Sequence, residues 1–124
     1  MNKREFLKAV AAGVVAAGLA SPARTTAIVP KRRIAVVQPT LPGAHAFSQT
    51  QNDAGAEVML PSGDPVRWFR STLRPALAGA EVHGFTDGVH ALLLESSLRE
   101  EGYVRSGEAR RIGRATLWAA APRS

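Results

Sequence analysis

The sequence predicts a small α/β domain built as a three-layer, mostly parallel sheet in which strands and helices alternate. Three observations carry this. A β-branched run, Ile34 to Val37, is bounded by charges and by Pro39, as a short strand is. The pentapeptide Ala-Gly-Ala-Glu-Val occurs at 54–58 and again at 78–82, and this spacing of 24 residues suits one helix, one strand and their turns. Glu-Glu-Gly-Tyr-Val at 100–104 repeats the transition in looser form. In each copy a glycine (Gly55, Gly79, Gly102) falls where a helix should stop, since glycine takes the left-handed conformation of a helix end at little cost.

The elements follow in order. After the first strand comes a weak helix over 43–54, then a strand over 56–60. The next helix, over 64–78, opens with Asp64 as N-cap and Pro65 at the first helical position. Val66, Phe69, Leu73 and Leu77 share one face of it, and Pro75 should kink or shorten it. Glu81-Val82 opens the third strand. A helix over 88–101 starts after Asp87 and stops at Gly102, with Leu92, Leu93, Leu94 and Leu98 forming a broad apolar face. Tyr103-Val104 opens a fourth strand, completing a β-α-β-α-β-α-β order with right-handed crossovers. The tail Arg-Ala-Thr-Leu-Trp-Ala-Ala-Ala-Pro at 114–122 reads as a last strand. The loop reaching it, with Gly107 and Gly113, is short, which favours an antiparallel partner at the sheet's edge. A helix over 108–121 is the alternative, because Ala and Arg are good helix formers.

The 124 residues allow one domain, and 45% hydrophobic with 21% charged residues is a globular balance. There is no cysteine, which excludes disulfides, thiolate metal sites, cysteine nucleophiles and a lipid-modified cysteine. The N-terminus has the order of a secretory leader: charged residues to Lys8, an apolar run from Ala9 to Ala20, then Ser21-Pro22-Ala23 and Thr25-Thr26-Ala27. That run is twelve residues long, against the roughly 20 that span a bilayer as a helix. A cleaved leader over 1–27, with a mature domain over 28–124, is therefore expected rather than a permanent membrane anchor. Cleavage fits after Ala20, Ala23 or Ala27. Setting aside Lys3, Arg4, Glu5 and Lys8 reduces the formal net charge from +6 to +4, a modest and almost purely arginine excess.

The heptad Asn2-Lys3-Arg4-Glu5-Phe6-Leu7-Lys8 resembles the twin-arginine export signal, whose pattern is Ser/Thr-Arg-Arg-x-Phe-Leu-Lys. Arg4, Phe6, Leu7 and Lys8 match in register, while Lys3 stands in place of the first arginine and Asn2 in place of Ser or Thr. The resemblance covers the leader alone. It implies recognition by the export machinery and delivery to the periplasm. A general secretory leader, the alternative, gives the same destination.

In a parallel sheet any site should lie beyond the carboxyl ends of the strands. Three loops converge there, at 39–45, 61–65 and 86–90, each leading into a helix N-terminus whose free N–H groups favour an anion. The candidate ligand-binding residues are Gly43, His45, Ser62, Gly63, Asp64, Asp87, Gly88 and His90. The glycines would admit a ligand close to the backbone, but Ser62, Asp64 and Asp87 are equally good plain helix caps. No loop has a nucleotide or dinucleotide fingerprint, and no cofactor is expected. His83, Asp87 and His90, with His45, have the chemistry of metal ligands but no strong ligand spacing. Ser62 with Asp64 or Asp87 and His90 has the residue types of a hydrolase but lacks the flanking glycine of a nucleophile elbow. Arg67, Arg70 and Arg74 form a basic stripe that suits an acidic partner, lipid headgroups or plain solvent. These features point to an exported, non-enzymatic module that binds a small anion or docks on an exported enzyme. The alternative is a small hydrolase or metal-binding protein using His90 with Ser62 or Asp87. Export argues against a nucleic-acid partner.

Overall fold

Strand β1 (Arg33–Val37) has no polar side chain from Ile34 to Val37, so it demands cover on both sides of a sheet. In the computed structural model, which describes residues 32–123, it receives that cover. Ile34 and Val36 enter one apolar cluster, and Ala35 and Val37 enter another on the opposite face. The export heptad, with Lys3, Arg4, Phe6, Leu7 and Lys8, lies outside the described residues, as does the leader's end.

Strands β2 (Glu57–Met59) and β3 (Glu81–Thr86) flank β1, both parallel to it, with Ile34 opposite Glu57 and Val37 opposite Phe85. Helix α1 (Ala44–Asp53) joins β1 to β2 across the Ala35 and Val37 face. Helix α2, made of Pro65–Trp68, Phe69–Leu73 and Arg74–Ala76, packs on the other face beside α3 (Gly88–Glu100). There Trp68, Phe69, Leu73, Leu94 and Leu98 close over Ile34, Val36 and Val82. Among the described residues no helix is long and apolar enough to cross a membrane.

The kink expected at Pro75 takes the form of a widened turn. Phe69–Leu73 is π-helical, and the Arg74 N–H donates to the Phe69 carbonyl five residues back. Proline has no N–H to give, and its ring collides with the carbonyl four residues earlier. An extra residue in the preceding turn relieves that collision without breaking the helix.

The expected mostly parallel sheet is instead a mixed one. Its six strands run in the order β2-β1-β3-β6-β4, with β5 also beside β6. The β1–β2 and β1–β3 pairs are parallel, whereas β3–β6, β4–β6 and β5–β6 are antiparallel. The last strand, β6 (Ala115–Pro122), was expected at the edge and lies inside. Short β4 (Tyr103–Arg105) and β5 (Arg110–Ile112) share its outer side. Composition explains the exchange. Ala115, Thr116, Trp118 and Ala120 are buried, while Val104, Arg105 and all of β5 are exposed, as a charged strip at an edge should be. Strand β4 still points the same way as β1 and β3, so the alternation of helix and strand is real. A returning strand has slipped in between β3 and β4. The helical alternative for 108–121 is excluded, since this segment forms β5 and most of β6.

Of the three layers expected, one is half built. Helix α1 packs over β1 and β2, and among the described residues no second helix joins it on that face of β3 and β6. On the opposite face Trp118 lies against Gly84, its partner across the β3–β6 ladder, and its indole Nε1 donates to Thr86 Oγ1 at 3.0 Å.

Candidate functional site

The carboxyl edge of β1 and β3 is held by one polar cluster. Gln38, immediately after β1, donates through Nε2 to Asp87 Oδ2 at 3.0 Å and accepts the Asp87 N–H on its Oε1 at 2.8 Å. Asp87 Oδ1 accepts the His90 N–H at 2.8 Å and lies 3.0 Å from His90 Nδ1. Burial by itself would raise the Asp87 pKa. The His90 backbone N–H, the Gln38 amide and the His90 ring outweigh it, and the net effect holds the carboxyl below its usual value. Gln38 has no motif and was not a candidate from sequence. Its only cue is its place, one residue beyond the first strand at the edge where the helices begin.

The remaining candidates are spread along that edge. Gly43 caps α1 with φ of 89°, and a Cβ there would press on the Phe85 ring at 3.3 Å, so this glycine answers to geometry as well as to any ligand. His45 is exposed in the first turn of α1 beside a cavity of about 230 Å³ that also touches Pro39, Ser48 and Leu60. Ser62 and Gly63 are exposed in the loop before α2, and Gly88 is exposed at the start of α3. Asp64 accepts the Arg67 N–H at 2.8 Å. The structure thus brings Asp87 and His90 together, and among the described residues Ser62 has no hydrogen bond to either. No group of three or more His, Asp or Glu side chains is gathered among the described residues. Two of the three helix N-termini are therefore filled by the protein's own carboxylates, where an outside anion would otherwise sit.

Asp87→Ala is expected to destabilise the domain by about 1–2 kcal/mol, from a lost helix cap and lost hydrogen bonds to Gln38. The side chain is 37% exposed, which places the loss in the lower part of the range. The folded pKa is depressed, so the native contribution is complete above the unfolded value near 4 and fades as the pH falls through the folded one. Urea unfolding of both proteins at pH 7 and at about pH 3 checks this: the gap should narrow in acid.

A larger concavity lies elsewhere, on the half of the sheet's α1 face that no helix covers among the described residues. It measures about 270 Å³. Leu117 and Ala119 of β6 form its floor, and Phe47 and Gln51 of α1 form one wall. Cross-strand register assembles the rest: His83 pairs with Ala119, and Arg110 pairs with Leu117. Phe47 stacks on Phe85 with ring centroids 5.1 Å apart, which fixes the wall against the sheet. Ser106, Glu108 and Trp118 complete the lining. Arg105 donates to both carboxylate oxygens of Glu95 at 3.1 Å, which raises the Arg105 pKa, and the charge of Glu108 adds to it. His83 Nε2 lies 3.3 Å from Glu81 Oε1. Of these residues, only His83 stood out in the sequence. The others come from an exposed loop, a hairpin and a helix face whose meeting depends on β6 lying inside the sheet. No protein-family model matches the chain, and no curated protein or solved structure shows significant similarity to it.

Proposed function

We propose that the mature chain is an exported, non-enzymatic module that holds a small anion on the bare half of its sheet. The observation that carries this is the cavity of about 270 Å³, which His83 and Arg110 line together with Phe47, Leu117 and Ala119. Concave sites with an apolar lining and a few converging polar groups are where small ligands bind. The carboxyl edge is the weaker candidate, because Asp64 and Asp87 already occupy two of its helix N-termini. Export to the periplasm rests on the leader and its resemblance to the twin-arginine signal. Service to an exported enzyme is the partner role consistent with it.

The hydrolase alternative draws support from the Asp87–His90 pair at 3.0 Å, which orients the imidazole as a base would need. It lacks a hydroxyl or thiol bonded to that ring among the described residues, which leaves it the second reading.

Titration of the full chain with phosphate, sulfate and acetate, followed by backbone amide shifts, tests the proposal. Shifts should centre on His83, Arg110 and Ala119. Shifts confined to 40–45, 62–64 and 86–90 would move the site to the carboxyl edge. Shifts confined to Arg67, Arg70 and Arg74 would replace a ligand pocket with a surface for macromolecules.

A further inference from the structure

We infer that the cavity on the bare sheet face takes a small organic carboxylate with a flat apolar tail, and that Gln51 reads its carboxyl group. The inference rests on the binding reading above and names the ligand class. Gln51, near the C-terminal end of α1, is only 9% exposed although its side chain is polar. Its Oε1 accepts from Arg33 Nη1 at 3.5 Å, the outer limit of a hydrogen bond. A guanidinium only donates, so the carbonyl end of the amide must face Arg33 and the NH₂ end must turn the other way. That nitrogen has no acceptor among the described residues, and Gln51 lines the cavity.

A buried amide that keeps two N–H donors without an acceptor is costly, and native interiors seldom leave one so. A ligand oxygen entering the cavity would relieve it. Arg110, on the neighbouring strand and exposed, supplies the positive charge that favours a carboxylate over a neutral carbonyl. The rest of the lining is mixed, with Ser106 and Glu108 polar and Phe47, Leu117, Trp118 and Ala119 apolar. Leu117 and Ala119 beneath and Phe47 at the side offer a slot that an inorganic oxyanion would leave wet. A ligand with a carboxylate at one end and a flat hydrocarbon at the other satisfies both halves.

The test uses the full chain and four compounds of similar size or charge: benzoate, phosphate, benzamide and benzylamine. Benzoate should shift the amides of Phe47, Gln51, His83, Leu117 and Ala119 and bind about tenfold tighter than phosphate or benzamide. Gln51→Leu, which keeps the volume and removes the donors, should weaken benzoate by about tenfold with the protein still folded by circular dichroism. Gln51→Glu keeps the shape, retains a partner for Arg33 and should abolish benzoate binding by repulsion. Phosphate binding at His83 and Arg110 as tightly as benzoate would overturn the ligand class while leaving anion binding intact. Undiminished benzoate binding by Gln51→Leu would overturn the role of Gln51. A preference for benzylamine, or no shift at the cavity with any of the four, would overturn this inference and the binding reading together.

Discussion

Gly84→Ala is expected to remove a large part of the domain's stability. Gly84 sits in the middle of β3, a position where glycine ordinarily weakens a strand. The reason for it is across the ladder: the Trp118 indole occupies the space that a Cβ at Gly84 would need, and the two would overlap outright. The indole cannot easily move aside, being 2% exposed within the larger apolar cluster and bonded through Nε1 to the buried hydroxyl of Thr86. Either it leaves that bond and opens a void, or β3 and β6 part at the centre of the sheet. Overpacking of rigid sites costs about 1–3 kcal/mol and sometimes more, and the lost hydrogen bond adds about 1 kcal/mol. A loss of about 3 kcal/mol or more is expected, from a total that is only about 5–15 kcal/mol in small domains. Urea unfolding with near-ultraviolet circular dichroism of the tryptophans measures it. Gly84→Ala combined with Trp118→Leu should be less damaged than the sum of the single changes, because the smaller side chain vacates the contested space. Strict additivity would show that the two residues do not meet.

Changing Lys3 and Arg4 together to Gln is expected to stop export completely, with the full-length chain retained in the cytoplasm of a Gram-negative host. The unaltered chain should appear in the periplasm, shortened to begin near Arg24 or Ile28. The pair provides most of the positive charge that precedes the apolar run, and Arg4 is the guanidinium that the twin-arginine pattern shares in register. Lys3→Arg should maintain or improve transport, since a planar guanidinium fork makes paired hydrogen bonds that an ammonium cannot. Cell fractionation and N-terminal sequencing of the product decide it. Cytoplasmic full-length protein in all three cases would remove the export proposal.

Local chemistry made much of the fold legible. Asp64-Pro65 and Asp87 set the helix starts and, with the repeated Ala-Gly-Ala-Glu-Val, place α2, β3 and α3 within a residue or two of their observed limits. Caps and stops of this kind act within one turn of the chain, so the sequence states them directly. The β-branched run from Ile34 to Val37 likewise announced a strand, and the structure covers it on both faces. The candidate site was less legible. Asp87 and His90 stand three residues apart at a helix start and could be paired from sequence. Gln38 reaches Asp87 only because β1 and β3 are neighbours, and 49 residues separate them in the chain.

The sequence by itself determined the order and kind of most elements, because these depend on side chains a few residues apart. Strand neighbours depended on competition for burial, which no local pattern records. Strand β6 won the place beside β3 because its eight residues can bury Trp118 on one face and Ala115 on the other, whereas β4 and β5 are short and charged. That exchange turned a parallel sheet into a mixed one. It also carried Leu117, Ala119 and Arg110 alongside His83, onto the face beside α1. The cavity is a product of that one choice of neighbour, made by the packing of tryptophan on glycine across two strands more than 30 residues apart.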